Sequence, residues 1–246
     1  LIARPDQPFE ILFEDEGLLV VNKLLPLPVL PDGSGGPDLR EAIRRSLAAR
    51  DGRPPAVLEA IHRLDRPVSG CVAYAKSQEA LTRFSALFKD RAARKIYLAA
   101  VHPAPALEEA ELSHLIGWNK ARSKAFVGPV DPAARGGKAR RDMKLAVLRY
   151  KLAGRGERYA LLEIELITGR HHQIRAQLAS IGCPVKGDVK YGARRPNPNG
   201  LIALHARSLE FPEGLGIPRI VAPFPPGEGV WAALEGGPGP RVSSTS

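Results

Sequence analysis

Asp65 lies in Ile61-His62-Arg63-Leu64-Asp65-Arg66-Pro67-Val68-Ser69-Gly70, with one arginine two residues before it and another directly after. Pro67 and Gly70 mark a turn rather than a regular element. Cys71 to Ala75 then reads as a short apolar strand. A carboxylate on a turn that leads into a core strand is held rigidly and still reaches solvent. A catalytic acid needs both conditions. The plainer reading of the same residues is an Asp–Arg surface pair that closes a turn, a contact that carries little energy.

Other chemistry-bearing residues lie further along. Arg94 to Val101 alternates as a strand, with Tyr97 on the face opposite Ile96 and Leu98. A tyrosine there is either core or an aromatic face with a polar tip, suited to stacking on a planar ring. Leu166-Ile167-Thr168-Gly169-Arg170-His171-His172-Gln173-Ile174-Arg175 follows a cleanly alternating strand, Arg158 to Leu166. Ile174, Leu178 and Ile181 then predict a helix from near Gly169 or Arg170, with Gly182 in the C′ position. Adjacent residues on a helix point in different directions, and no further Cys or His cluster supports His171 and His172 as ligands, so no metal site is expected.

Asn119 to Arg158 is the charge centre, with twelve Lys or Arg against three acids, a net of +9 in a chain whose formal charge is +10. Lys120, Arg122 and Lys124 fall at every second residue and would line one face of an extended strand. Lys138, Arg140 and Arg141 belong to a Gly-rich basic loop. Such a concentration fits phosphate contacts better than an ordinary solvated hairpin does. The aromatic strings of an RNA-recognition motif and the ligands of a zinc knuckle are absent from the sequence.

The central stretch H-R-L-D-R-P-V-S-G resembles the H-R-L-D-x-x-T-S-G signature of the RluA-type pseudouridine synthases, with Val68 in place of the usual Thr. Four more stretches resemble that family in consistent order between Leu18 and Phe211: Lys95 to Val101, Leu166 to Arg175, Gly182 to Gly192, and the late strand around Leu204-His205-Ala206. The resemblance implies that Asp65 is the catalytic residue, that Tyr97 lies against the target base and that Arg175 pairs with the aspartate. It implies substrate-side roles for Arg63, Arg66, Leu166, Arg170, His172 and Gln173. Gly182 to Gly192 and His205 fit scaffold roles. Lys23 fits the lysine of the family's V-x-K-P-x-G-L loop, but Leu24 replaces its Pro and Pro26 its Gly. Proline fixes φ near about −65° and denies the positive φ that Gly allows, so this loop must take a different path.

The elements that position these residues follow from periodicity and punctuation. Phe9 to Phe13 and Leu18 to Asn22 read as a hairpin. Asp38 is the expected N-cap of a helix to Arg50, and Ser77 of one to about Lys89, whose core face holds Leu81, Phe84, Leu87 and Phe88. At 246 residues the chain can bury a substantial core. Its two cysteines, both in apolar surroundings, read as thiols of a reducing cytosol. No apolar run is long enough to span a bilayer, and no signal peptide is visible. The chain begins at Leu1 without a Met, which leaves room for an upstream domain, and many members of the resembled family carry a small RNA-binding domain there.

The sequence is thus read as an α+β pseudouridine synthase fold: a long mixed, mainly antiparallel sheet with flanking helices and a central cleft. Residues 1–235 are expected to form the catalytic domain and 236–246 a disordered tail. The expected activity is isomerisation of uridine in structured RNA, rRNA or tRNA, by a cytoplasmic monomer without cofactor or metal. The alternatives are an inactive RNA-binding protein of the same fold and an RNA hydrolase or base-excising glycosylase that uses Asp65 to direct water.

Overall fold

The computed structural model describes residues 7–33, 35–128, 142–225 and 230–231. Within them the chain is α+β, with three helices and eleven strands. The residues cluster into two compact units. The first comprises Leu1–Ile96, Pro198–Leu201 and His205–Pro226, and the second Tyr97–Asn197, Ile202–Leu204 and Gly227–Ser246.

The first unit begins with the expected hairpin, β1 (Phe9–Glu14) and β2 (Leu18–Lys23). Asp15 makes its turn, the carboxylate accepting from the backbone N–H groups of Gly17 and Leu18. Strand β2 pairs antiparallel with β4 (Ser69–Ala75), and the two-residue β3 (Glu59–Ala60) pairs antiparallel with β4 as well. Strand β10 (Leu204–Glu210) lies parallel to β4, through His205 opposite Ser69 and Ala206 opposite Gly70. That one parallel pair makes the sheet mixed. The short β11 (Ile220–Val221) returns antiparallel on β10.

Both capped helices of this unit form as their sequences predict. Helix α1 (Leu39–Asp51) starts at Asp38, whose carboxylate accepts from the Glu41 N–H, and ends at Gly52 with φ 75°. It buries Leu39, Ile43 and Leu47. Helix α2 (Gln78–Lys89) starts at Ser77, which accepts from the Ala80 N–H. Ala80 and Phe84 are its buried residues, and they pack with Leu18, Val20, Cys71, Ala73 and Leu209. Leu81, Leu87 and Phe88 are only partly buried against that core.

The second unit is a meander. Strand β5 (Arg94–Val101) enters it at Tyr97, and β9 (Ala160–Leu166), β8 (Lys144–Arg155), β6 (Glu109–Asn119) and β7 (Lys124–Gly128) follow in spatial order. The pairings β6–β7, β6–β8 and β8–β9 are all antiparallel. Helix α3 (Gln173–Ser180) sets Ala176 into a core of Ile116, Ala125, Ala146 and Tyr191.

Two expectations are corrected here. The helix begins at Gln173 rather than near Gly169 or Arg170, because its N-cap His172 adopts a left-handed φ of 54°. Its far end agrees with expectation, with Gly182 in left-handed geometry at φ 77°. Lys120 and Arg122 are not on a strand face. They sit in the β6–β7 turn, where the Asn119 side chain accepts from the Arg122 N–H and Ser123 takes a φ of 43°; only Lys124 is in strand. Lys138, Arg140, Arg141 and the tail 236–246 lie outside the described residues. Both cysteines are buried and free. Among the described residues no helix is long and apolar enough to cross a membrane.

Candidate active site

The Asp65 turn is stapled to the strand it enters. The Ile61 N–H donates to the Ala73 carbonyl at 2.9 Å, and the Ala73 N–H donates to His62 Nε2 at 3.1 Å. His62 therefore accepts through Nε2, and burial holds its pKa down near 3, with the charge of Lys95 adding to the effect. The ring also stacks on Phe88 at 4.7 Å. The Val68 N–H closes the turn on the Asp65 carbonyl at 3.0 Å. Asp65 is left half-buried between exposed Arg63 and Arg66, and every residue of β4 behind it is buried.

Two contacts anchor the exit of the turn. Gly70 has φ 110°, and a Cβ there would strike the backbone of Ala206, so only glycine fits. Ser69 Oγ is 2.8 Å from His205 Nδ1, and His205 Nε2 is 3.2 Å from the Ala222 carbonyl. A carbonyl only accepts, so Nε2 carries the proton and Nδ1 accepts from the serine hydroxyl. Burial lowers the His205 pKa to about 4, which keeps this neutral tautomer at ordinary pH. The scaffold expectation for His205 agrees with these contacts: the side chain is buried and has partners on both nitrogens.

Lys23, matched from sequence to the family's lysine-containing loop, holds this turn from below. Its side chain is fully buried, and Nζ donates to the Arg66 carbonyl at 2.8 Å and the Leu25 carbonyl at 3.0 Å. Arg66 Nε reaches back to the Pro26 carbonyl at 3.2 Å. The Lys23–Pro26 loop and the Asp65 turn are therefore tied twice. Burial lowers the Lys23 pKa from 10.5 to about 7, against the opposing pull of the Asp65 charge. The sequence signal was a lysine directly after an apolar strand; its depth depends on packing that the local sequence does not encode.

That depressed value carries a pH dependence. Between about 7 and 10.5 the unfolded chain holds a proton on Lys23 that the folded chain has released. Stability therefore rises with pH across that window, by up to about 1.4 kcal/mol per unit from this group. Below the folded pKa both states are protonated and the slope vanishes, leaving the buried charge at its full cost. Lys23→Met lacks the titration. Denaturant unfolding of both proteins from pH 7 to 9 should show the wild type gaining on the variant as pH rises, and parallel curves would refute the buried amine.

In the second unit Tyr97 is buried on β5, with 6% of its surface exposed. Arg175 on α3 is buried too. Its Nε and Nη2 fork onto the Asp188 carboxylate at 2.7 and 2.9 Å, with the two side chains 5% and 1% exposed. Asp188 belongs to the stretch read from sequence as scaffold, and nothing local indicated this pairing. The guanidinium also lies 4.9 Å from the Tyr191 ring.

The loop before α3 is built around Gln173. Its side-chain oxygen accepts from Thr168 Oγ1 at 2.7 Å and from the Arg170 N–H at 2.9 Å, while its amide donates to the Val147 carbonyl at 3.1 Å. Arg170 Nε donates to the Leu145 carbonyl, and His172 Nδ1 lies 2.9 Å from the Tyr191 hydroxyl. Leu166 is buried at the end of β9. The rings of His171 and His172 do not diverge as helical neighbours would; they sit outside the helix with centroids 4.4 Å apart. Lys124 Nζ stands 4.7 Å over the Tyr191 ring.

Comparison with known proteins adds to this geometry. A family model described as RNA pseudouridylate synthase matches residues 17–180. The ribosomal large subunit pseudouridine synthase D of Xylella fastidiosa is 34% identical over 241 residues, covering 89% of this chain and 67% of its own length. The protein of the same name from Xanthomonas campestris pv. campestris is 33% identical, with 85% and 63% covered. This chain thus spans about two thirds of the length of these relatives. Among solved structures, human RNA pseudouridylate synthase domain containing 4 superposes with a TM-score of 0.71 at 25% identity, over 88% of each chain.

Proposed function

The chain belongs to the RNA pseudouridylate synthase family, and from that premise we propose that it isomerises uridine to pseudouridine in large-subunit ribosomal RNA, with Asp65 as the catalytic carboxylate. The observation that carries the reading is the anchored turn. Asp65 is half-buried and reachable, while the backbone around it is fixed by Ala73, His62, Lys23 and Gly70. A group that must meet a sugar carbon in one geometry needs such a support. The ribosomal substrate is supported by the relatives, which are named for the large ribosomal subunit.

The reaction breaks the N1–C1′ bond of uridine and joins C1′ to C5 of the same base. C5 gives its proton to solvent and N1 gains one, so mass is conserved and no electron donor is required. The Asp65 carboxylate serves by attack on C1′, or by removing a sugar proton to give a glycal. A paired target must first leave its stack. In this reading Arg63, exposed beside Asp65, fills the vacated space. Tyr97 is assigned to the base by resemblance. The same resemblance gives Arg66, Leu166, Arg170, His172 and Gln173 substrate-side roles, and for Gln173 the hydrogen bonds support a role in shaping the Thr168–His172 loop. Mapping pseudouridine in large-subunit RNA from cells with and without the protein tests the substrate. At least one position should revert to uridine in its absence, and an unchanged map would exclude that RNA.

The turn lysines and arginine give a second, independent expectation. Lys120 and Arg122 are exposed at the β6–β7 turn, and Lys124 follows them. Each phosphate contact contributes a slope of about −0.7 to −0.9 in log affinity against log salt. Neutralising all three should flatten the measured slope by roughly two units if each meets a phosphate, with the loss falling on affinity. Parallel salt titrations would move the RNA path elsewhere, towards Lys138, Arg140 and Arg141.

A further inference from the structure

Trp118 is an indole in an unusual position. It ends strand β6, immediately before the basic turn, and keeps 37% of its surface exposed. It is not loose. His171 stacks on it with ring centroids 4.1 Å apart and planes 22° from parallel, and His172 meets its edge at 5.3 Å and 76°. His172 is in turn fixed by the Tyr191 hydroxyl. The imidazoles thus hold the indole plane in one orientation, so ordering it on binding carries little entropic cost. Among the described residues the nearby core cluster, Ile116, Ala125, Ala146, Ala176 and Tyr191, forms without it.

The residues that follow it along the chain carry one sign of charge. Lys120 and Arg122 lie two and four residues ahead in the same turn, Lys124 opens the next strand, and no acid occurs between Trp118 and Lys124. A rigid exposed aromatic beside several cations is the pairing that single-stranded nucleic acid recognition uses. The bases stack on the ring and the cations follow the backbone.

We infer that Trp118, backed by His171, is a stacking platform for an unpaired nucleotide of the RNA substrate, with Lys120 and Arg122 receiving the adjoining phosphates. The inference rests on the RNA reading above and assigns a nucleotide subsite on the β6–β7 hairpin. A flanking nucleotide that stacks there biases the enzyme towards RNA whose target neighbours a flexible, unpaired segment.

The chain has two tryptophans, and Trp231 is 1% exposed, so RNA contact should quench Trp118 selectively. The test titrates the full chain with oligouridine and with an abasic oligoribose-phosphate of equal length and charge. Oligouridine should quench the emission and the abasic strand should not. Trp118→Phe should lose the quenchable signal yet bind oligouridine nearly as well, because a ring remains. Trp118→Ala should weaken oligouridine binding by roughly 5- to 150-fold, the range expected for one lost base stack. Its affinity for the abasic strand should stay as in wild type. On large-subunit RNA the same loss should appear in KM rather than kcat. Equal quenching by both strands, or oligouridine affinity unchanged in Trp118→Ala, would overturn the platform even if the wild type makes pseudouridine. Base-dependent quenching by a protein that forms no pseudouridine in any RNA would uphold the platform and overturn the catalytic assignment instead.

Discussion

Asp65→Asn should abolish pseudouridine formation while leaving the fold and RNA affinity intact. The amide is nearly isosteric with the carboxylate and keeps the backbone carbonyl that receives the Val68 N–H. The hydrogen bonds that support the turn end on backbone atoms of Ala73, Arg66 and Pro26 and come from or go to His62, Lys23 and Arg66, all of which the amide variant keeps. What is lost is the negative charge, and neither nucleophilic attack nor proton removal proceeds without it. Single-turnover assays with saturating enzyme separate this from a binding defect. The expected loss exceeds the 10²–10⁴-fold typical of general acid–base groups if Asp65 is the nucleophile itself. Turnover by Asp65→Asn near the wild-type rate would remove Asp65 from the chemistry.

Arg175→Ala should be the most destabilising single change among the candidate site residues. Its partner Asp188 is 1% exposed, so truncation leaves a carboxylate buried without its guanidinium. Breaking a buried pair in this way costs roughly 3–5 kcal/mol. Arg175 Nε and Nη2 both donate to Asp188, and both residues belong to the second unit. Replacing both partners, Arg175→Met with Asp188→Leu, removes the stranded charge and should recover much of the loss. Urea unfolding of the two single variants and the double variant reads this directly. Additive losses would mean that the two side chains are not coupled.

The parts legible in the sequence are those that local chemistry decides. Asp38 and Ser77 cap their helices because a short acceptor side chain reaches an N–H three residues on. The Asp65 turn announced itself through Pro67 and Gly70. The start of α3 was misplaced because the apolar spacing of Ile174 and Leu178 says nothing about where the helix opens. Gln173 decides that, by drawing the Arg170 N–H and the Thr168 hydroxyl onto its side chain. The alternation of Lys120, Arg122 and Lys124 suggested a strand, but Asn119 accepts from the Arg122 N–H and bends the chain into a turn. The bond of Lys23 to the Arg66 carbonyl and the pairing of Asp188 with Arg175 were out of reach for another reason. Each pairing joins segments distant in sequence, 43 residues apart for Lys23 and Arg66 and 13 for Arg175 and Asp188. Only tertiary packing reveals which buried charge meets which partner.

Release of tritium from RNA labelled at C5 of uridine tests the central claim most directly, when read together with the mass of the RNA. Isomerisation replaces the C5–H bond with C5–C1′, so wild-type protein should release tritium in step with pseudouridine while the RNA mass, isotope aside, stays constant. Asp65→Asn should release none. Loss of uracil from the strand, strand cleavage, or an RNA that the wild type binds without releasing tritium would contradict the account. The first two would point to a glycosylase or hydrolase, and the third to a binding protein of the same fold.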